Sequence, residues 1–331
     1  MLLQTSRRGR TDYALPDRES HYEFVQLNRT FHELSKYARE SDDVDLSQAF
    51  YDRSQLAWDD LVKGHRTVIL SEAGSGKTEE IRQAALKLRA EGKVAFFLRL
   101  EHIPDDFDEA FEVGAVEEFK EWLASGKEGW LLLDSVDEAR LRNPGDFERA
   151  VRKLGRRIST AKDRTHVVLT GRTSAWRPKT DLALCEQHLS FTPSTTAAAE
   201  VGEVEVGEID TSDKLDKAIR TEQRPEKDAE PTFKIVALDD LSHDQIKTFA
   251  RARGVIDTNA FLEATERADA WSFTSRPQDL EELTEFWLDK GRVGSRLEIM
   301  RNSIDRRLAE RDQDRADVGR CHRSASEKGQ D

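Results

Sequence analysis

Long apolar stretches are what this 331-residue chain has least of. Its longest runs, such as Val94 to Leu98, fall far short of the roughly 20 apolar residues that a bilayer-spanning helix needs. Met1-Leu2-Leu3 passes straight into Arg7, Arg8 and Arg10 with no apolar core behind it, so no export signal is expected. Cysteine is almost absent. Cys185 and Cys321 stand far apart, too few for a zinc cluster or a disulfide framework, and a cytoplasmic location fits. Positive charge is in deficit, with 52 Lys and Arg against 65 Asp and Glu, net −13, which argues against general adhesion to polyanions. No membrane partner is expected and nucleic acid is not indicated.

Against this background one stretch has a specific chemistry. Thr67 to Leu70 is a short apolar run, Ser71-Glu72-Ala73-Gly74-Ser75-Gly76 is a small-residue loop, and Lys77-Thr78 opens a helical pattern. Strand, loop and helix in this order aim backbone N–H groups and the positive end of a helix dipole at one point, which is how a polyphosphate is held. Gly74 and Gly76 leave room for phosphate oxygens, Ser75 lies between them, Lys77 reaches the β- and γ-phosphates, and Thr78 offers a hydroxyl to Mg2+. Ser71 stands where the pattern Gly-x4-Gly-Lys-[Ser/Thr] begins with glycine, and a positive φ there would cost serine more than glycine.

The flanking chain divides by pattern. Phe24, Leu27, Phe31, Leu34 and Tyr37 recur at helical spacing, which predicts a helix over Tyr22 to Arg39, with a second over Leu46 to Val62, and hence an N-terminal helical region over 1–60. From Thr67 onward apolar runs alternate with helical stretches, the signature of a parallel α/β sheet. The runs are Thr67 to Leu70, Val94 to Leu100, Trp130 to Asp134, His166 to Thr170 and Phe233 to Leu238, so a P-loop NTPase sheet of about five strands flanked by helices is expected over 61–240. The intervening helices are expected over Lys77 to Ala90, Val116 to Ala124 and Asp146 to Thr160. An acidic segment at about 193–231 interrupts the core and reads as a mobile insertion. Ser242-His243-Asp244-Gln245 is a capping box and Gly254 a helix stop. Further helices over Asn259 to Ala268, Gln278 to Asp289 and Ser295 to Glu310 make 241–310 a small helical, lid-like domain, followed by a charged tail over 311–331 expected to be disordered.

Two more strand ends carry candidate chemistry. Trp130 to Leu133 leads into Asp134-Ser135-Val136-Asp137-Glu138; an acid at the end of a central strand can hold Mg2+, and an acid one turn on can activate water. Asp134 is assigned to the metal, while Asp137 and Glu138 share the candidacy for water activation. The run His166 to Thr170 ends in Gly171-Arg172. If that strand lies beside the phosphate loop, Arg172 can sense a γ-phosphate through its fixed donors. Trp176 reads as a packing residue.

Together the loop Gly74 to Thr78, the acidic motif Leu131 to Glu138 and Thr170-Gly171-Arg172 resemble the NACHT domain of the STAND signalling NTPases. Ala237 to Ser242 and Arg276-Pro277-Gln278-Asp279-Leu280 are similar to segments that follow the ATPase core in bacterial members, where a proline lies against the nucleotide base; Pro277 is the matching position. The resemblance implies an ATP/ADP-controlled switch, with nucleotide held between the core and a helical lid, self-association or a protein partner engaged by nucleotide state, and a regulatory role such as antiphage defence. The alternatives are a nonhydrolysing nucleotide-dependent interaction module and a P-loop kinase acting on a small molecule.

Overall fold

The computed structural model describes residues 24–34, 55–191, 233–302 and 304. The acidic segment, parts of the two N-terminal helical predictions and the C-terminal tail lie outside these residues.

Among the described residues eight strands form one sheet in the order β2-β1-β8-β3-β7-β6-β4-β5. They are β1 (Thr30–Glu33), β2 (Gln55–Ala57), β3 (Arg66–Ser71), β4 (Val94–Arg99), β5 (Phe111–Val113), β6 (Gly129–Asp134), β7 (Thr165–Arg172) and β8 (Lys234–Leu238). The middle of the sheet, β8-β3-β7-β6-β4, is parallel throughout. These are the five runs legible in the sequence. Three short strands extend the sheet antiparallel at its edges, β1 and β2 on one side and β5 on the other. The sheet is therefore mixed, and larger than the sequence pattern predicts.

β3 and β6 are buried along their whole length, because helices cover both faces of a parallel sheet. On one face Val68, Leu70, Phe96, Leu98, Leu131, Leu133 and Leu169 pack against α3 (Val116–Ala124), α4 (Val136–Arg142), α5 (Asp146–Arg157) and α6 (Pro178–Leu189). On the other, Ile69, Phe97, Leu132 and Val168 meet Ile81, Ala84, Ala85 and Leu88 of α2 (Lys77–Ala90), with Leu61 of α1 (Trp58–Lys63) beside them. A third cluster, around Ile246, Phe249, Phe261, Leu280, Leu283 and Phe286, is built by α7 (His243–Ala252), α8 (Thr258–Arg267) and α9 (Pro277–Lys290). Ser242 caps α7 as its sequence predicts, accepting from Gln245 N at 3.3 Å, and Gly254 takes φ +96° just past its end.

The helix expected over Tyr22 to Arg39 is not formed at its described residues. Leu27, Phe31 and Leu34 have helical spacing, yet each enters a different core: Leu27 the helical cluster, Phe31 the α2 face of the sheet and Leu34 the opposite face. A strand passing through the plane of a sheet sends neighbouring residues to both sides, and β1 does so between β2 and β8. Among the described residues of the second predicted helix, Gln55–Ala57 is extended instead and the helix α1 begins at Trp58. The strand Phe111–Val113 and the helix Pro178–Leu189 carry no expectation from sequence.

Candidate nucleotide site

All the chemistry-bearing residues singled out in the core lie at the carboxyl ends of the parallel strands, the edge where ligands gather in open α/β sheets. The loop between β3 and α2 is built on two left-handed glycines, Gly74 at φ +76° and Gly76 at φ +80°, the second serving as the N-cap of α2. Ser71 does not take a positive φ; it is the last residue of β3, and its hydroxyl shares a hydrogen bond of 2.8 Å with that of Ser75. The serine in place of glycine thus braces the turn from within. Glu79 and Glu80 lie in the first turn of α2 and Lys87 and Arg89 in its last, as the helix dipole favours.

β7 lies between β3 and β6, with Ser71 opposite Arg172 in the ladder. The condition for Arg172 to approach the loop is met in sheet order. Asp134, fully buried at the end of β6, accepts from Thr78 Oγ1 at 2.6 Å and from Thr170 Oγ1 of β7. One carboxylate thereby joins three elements: β6, β7 and α2.

Asp137 and Glu138 begin α4 but occupy different electrostatic settings. Asp137 Oδ1 lies 3.9 Å from Lys77 Nζ and accepts from Ser135 Oγ and, at 3.1 Å, from the backbone N–H of Arg172. The Arg172 guanidinium adds an ion pair at 2.6 Å from Asp137 Oδ2, off the line of a hydrogen bond. Burial pushes the Asp137 carboxyl up, but the Ser135 bond and the charges of Lys77 and Arg172 outweigh it and hold it below its ordinary value. Glu138 is pushed the other way, first by burial and then by the negative charges of Asp134 and Glu101, with Arg99 opposing.

Arg99 is a site residue that sequence reasoning missed. It ends β4 directly opposite Asp134 and places Nη1 3.0 Å from Glu138 Oε2. Arg29 is another: it is 2% exposed, reaches the carbonyl of Ser75 at 2.9 Å and that of Asp239 at 2.6 Å, and lies beside the start of β1. Neither carries a local motif, and only the sheet order brings them to the site.

The helical segment touches the loop directly. Gln278 N donates to Gly74 O at 3.2 Å, Arg276 Nη1 donates to Ala73 O at 3.1 Å, and Pro277 Cγ lies 3.4 Å from where a Cβ on Gly76 would stand. Pro277 opens α9, where its fixed φ and missing N–H are tolerated. A separate cavity of about 610 Å³ runs along α2, lined by Arg29, Trp58, Glu80, Lys87, Trp130 and His166, and contains none of the loop or acidic-motif residues.

The donor set suits Mg2+: the Thr78 hydroxyl and the Asp134 carboxylate are hard oxygens 2.6 Å apart, at the edge where the glycine loop opens. Among the described residues no His, Cys, Asp and Glu cluster of the kind that cages a metal without phosphate help is present. No described helix is long and apolar enough to cross a membrane.

No family model matches the sequence, and no curated protein matches it. Solved structures do match at low identity. The Orc1 protein of Aeropyrum pernix in complex with DNA gives a TM-score of 0.37 at 13% identity, over 72% of this chain and 59% of that one. The replication initiator DnaA bound to AMPPCP and single-stranded DNA gives 0.37 at 14%, over 71% and 58%. A Walker-type ATPase of Pyrococcus abyssi gives 0.37 at 12%, over 78% and 72%. This chain spans somewhat under three fifths of the length of the first two. The DNA named with them belongs to those proteins.

Proposed function

We propose that the chain binds ATP and hydrolyses it slowly, as a nucleotide switch of the STAND/NACHT type that its motifs resemble, in a signalling or antiphage-defence role. The observation that carries this reading is the convergence of Lys77, Thr78, Asp134, Asp137, Glu138 and Arg172 on one sheet edge beside a loop built on two left-handed glycines.

The N–H groups of the loop from Gly74 to Thr78 and the Lys77 ammonium hold the β- and γ-phosphates, while Ser71 and Ser75 keep the turn in shape. Thr78 and Asp134 would hold Mg2+, which would offset phosphate charge. Thr170 keeps the Asp134 carboxylate oriented. Of the two candidate bases Glu138 is the better. Its carboxylate is raised in basicity by burial and neighbouring acids, whereas Asp137 is stabilised as an anion by Ser135, Lys77 and Arg172. Glu138 takes a proton from the attacking water; Asp137 holds Lys77 and Arg172 in place until a γ-phosphate competes for both cations. Arg172 then reports the presence of that phosphate. The helical segment, touching the loop through Arg276, Pro277 and Gln278, is the lid whose position follows nucleotide state. Self-association or a protein partner reads out the change.

Lys77→Ala tests the central claim in a titration with a fluorescent ATP analogue, where at least a tenfold loss of affinity is expected for removing a charge-assisted phosphate contact. Binding as tight as the parent's would overturn it. Phosphate release that stops in Glu138→Gln but persists in Asp137→Asn supports the assignment of the base.

A nonhydrolysing nucleotide-dependent module is the second reading. It is favoured by the pairing of Lys77 with Asp137 and of Arg99 with Glu138, which occupies the groups that hydrolysis needs. Phosphate release by the parent no faster than by Glu138→Gln selects it.

A further inference from the structure

The guanidinium of Arg99 spans three carboxylates. Its Nε donates to Glu112 on β5, its Nη1 donates to Glu138 Oε2 at 3.0 Å, and the same Nη1 lies 3.6 Å from Asp134 Oδ2. The position is fixed by the sheet: Arg99 and Asp134 are Cα partners at the ends of two parallel strands, and β5 brings Glu112 alongside from the edge. Asp134 is completely shielded from solvent, and 22% of the Arg99 side chain is exposed, so one end of the fork is buried against the acids and the other faces water. Asp134 and Glu138 are the two acids that the proposed function assigns to metal and water. A fixed cation therefore stands against both of them.

A planar fork with several donors can exchange one carboxylate for another without leaving its place. Glu112, about a third exposed, is an anchor at the rim to which the guanidinium can retreat. A divalent ion and a guanidinium compete for the same carboxylates, because each neutralises the repulsion between Asp134 and Glu138 that the other would relieve.

Resting on the nucleotide-switch reading, we propose that Arg99 is a regulatory counter-charge of the site. It restrains Glu138 and neutralises Asp134 while no nucleotide is loaded, and gives both up toward Glu112 when Mg2+ arrives with nucleotide. The switch then has an electrostatic latch inside the core in addition to the lid.

The test is the Mg2+ dependence of binding of a fluorescent nonhydrolysable ATP analogue, a readout that needs no turnover. Arg99→Ala should lower the Mg2+ concentration for half-maximal binding by about fivefold, the scale of one partly exposed ion pair. Arg99→Lys, which keeps the charge but not the fork, should fall between Arg99→Ala and the parent. Glu112→Gln removes the rim anchor's charge and should raise the Mg2+ requirement, since the guanidinium then has no retreat. An unchanged or raised requirement in Arg99→Ala overturns the proposal. If Arg99→Ala does not fold, Glu112→Gln decides alone, and an unchanged requirement there overturns it. Failure of the nucleotide reading shows elsewhere, in undiminished binding by Lys77→Ala. Parent binding that is indifferent to Mg2+ removes the latch while leaving nucleotide binding intact.

Discussion

Arg29 donates from Nη1 to the backbone carbonyl of Ser75 across 2.9 Å, so a residue just ahead of β1 holds the glycine loop between β3 and α2 by its main chain. Its Nη2 holds Asp239 O at the end of β8, and burial lowers its affinity for the proton against the opposing charges of Glu80, Asp240 and Asp239. Arg29→Ala leaves the buried Ser75 carbonyl and the half-buried Asp239 carbonyl without this donor, and Glu80 without a compensating charge. We expect a loss of about 2–4 kcal/mol in unfolding free energy, the range for breaking a buried charged hydrogen-bond network. Arg29→Lys should recover only part, since an ammonium lacks the fork that reaches both carbonyls. Urea unfolding of the ligand-free protein measures both, and an Arg29→Ala midpoint equal to the parent's rejects the bracing role.

Thr170 offers a cleaner deletion. Its hydroxyl donates to the fully buried Asp134, and valine has nearly its shape without the donor. Thr170→Val should cost about 1–3 kcal/mol, the penalty for removing one partner of a buried charged acceptor, and Thr170→Ser should restore most of it. Thermal unfolding of the three proteins at neutral pH decides; a Thr170→Ser variant no more stable than Thr170→Val would mean that packing, not the hydroxyl, is what matters.

The contrast between Thr170 and Arg29 shows which parts of the fold were legible in sequence. The five parallel strands are apolar runs buried on both faces, and α2 follows its loop directly, so local pattern alone places Ser71 to Thr78, Asp134 and Arg172 on strand ends or helix starts. The N-terminal segment is different: Leu27, Phe31 and Leu34 satisfy three separate cores while imitating one helical face. Strands of three or four residues, such as β1, β2 and β5, are too short to display an alternation. Arg99 and Arg29 meet their partners across 39 and 46 residues of sequence, and no local periodicity encodes a contact of that range. Serine at position 71 departs from the loop pattern and is tolerated because it ends β3 without a positive φ, its hydroxyl bonded to that of Ser75.

The opposite displacements of Asp137 and Glu138 predict opposite pH slopes. Asp137 titrates below its ordinary value in the folded state, so its stabilisation is complete above the unfolded carboxylate pKa and is lost as pH falls through the folded one. The stability gap between the parent and Asp137→Asn should therefore be constant near neutrality and close on acidification. Glu138 titrates above its ordinary value, so the folded state resists its ionisation, and a penalty develops as pH rises from the unfolded pKa through the folded one. Glu138→Gln escapes that penalty and should gain on the parent over that interval; the Arg99 pair, formed only while Glu138 is ionised, opposes the penalty and is already contained in the net displacement. Denaturation midpoints of the three proteins across acidic pH give both slopes. An Asp137→Asn gap that widens on acidification contradicts the assignment.

The last test separates the backbone of the loop from its cover. Gly74, Gly76 and Gly92 share nearly the same left-handed φ, at +76°, +80° and +80°, but what a Cβ would meet differs. At Gly92 nothing lies within 4 Å, so Gly92→Ala measures the backbone strain alone, about 1 kcal/mol. At Gly76 the added carbon would touch Pro277 at 3.4 Å, an ordinary contact, and Gly76→Ala should cost little more in the ligand-free protein. At Gly74 it would lie 2.8 Å from Gln278 Oε1 and 3.1 Å from Gln278 Cβ, so α9 must shift or the Gln278 side chain must turn away. Gly74→Ala is therefore expected to be the most destabilising of the three, and adding Gln278→Ala should recover part of the excess because the clashing oxygen is gone. If Gly74→Ala unfolds at the same denaturant concentration as Gly92→Ala, the helical segment does not press on the loop, and the lid contact assigned to Gln278 has no energetic weight.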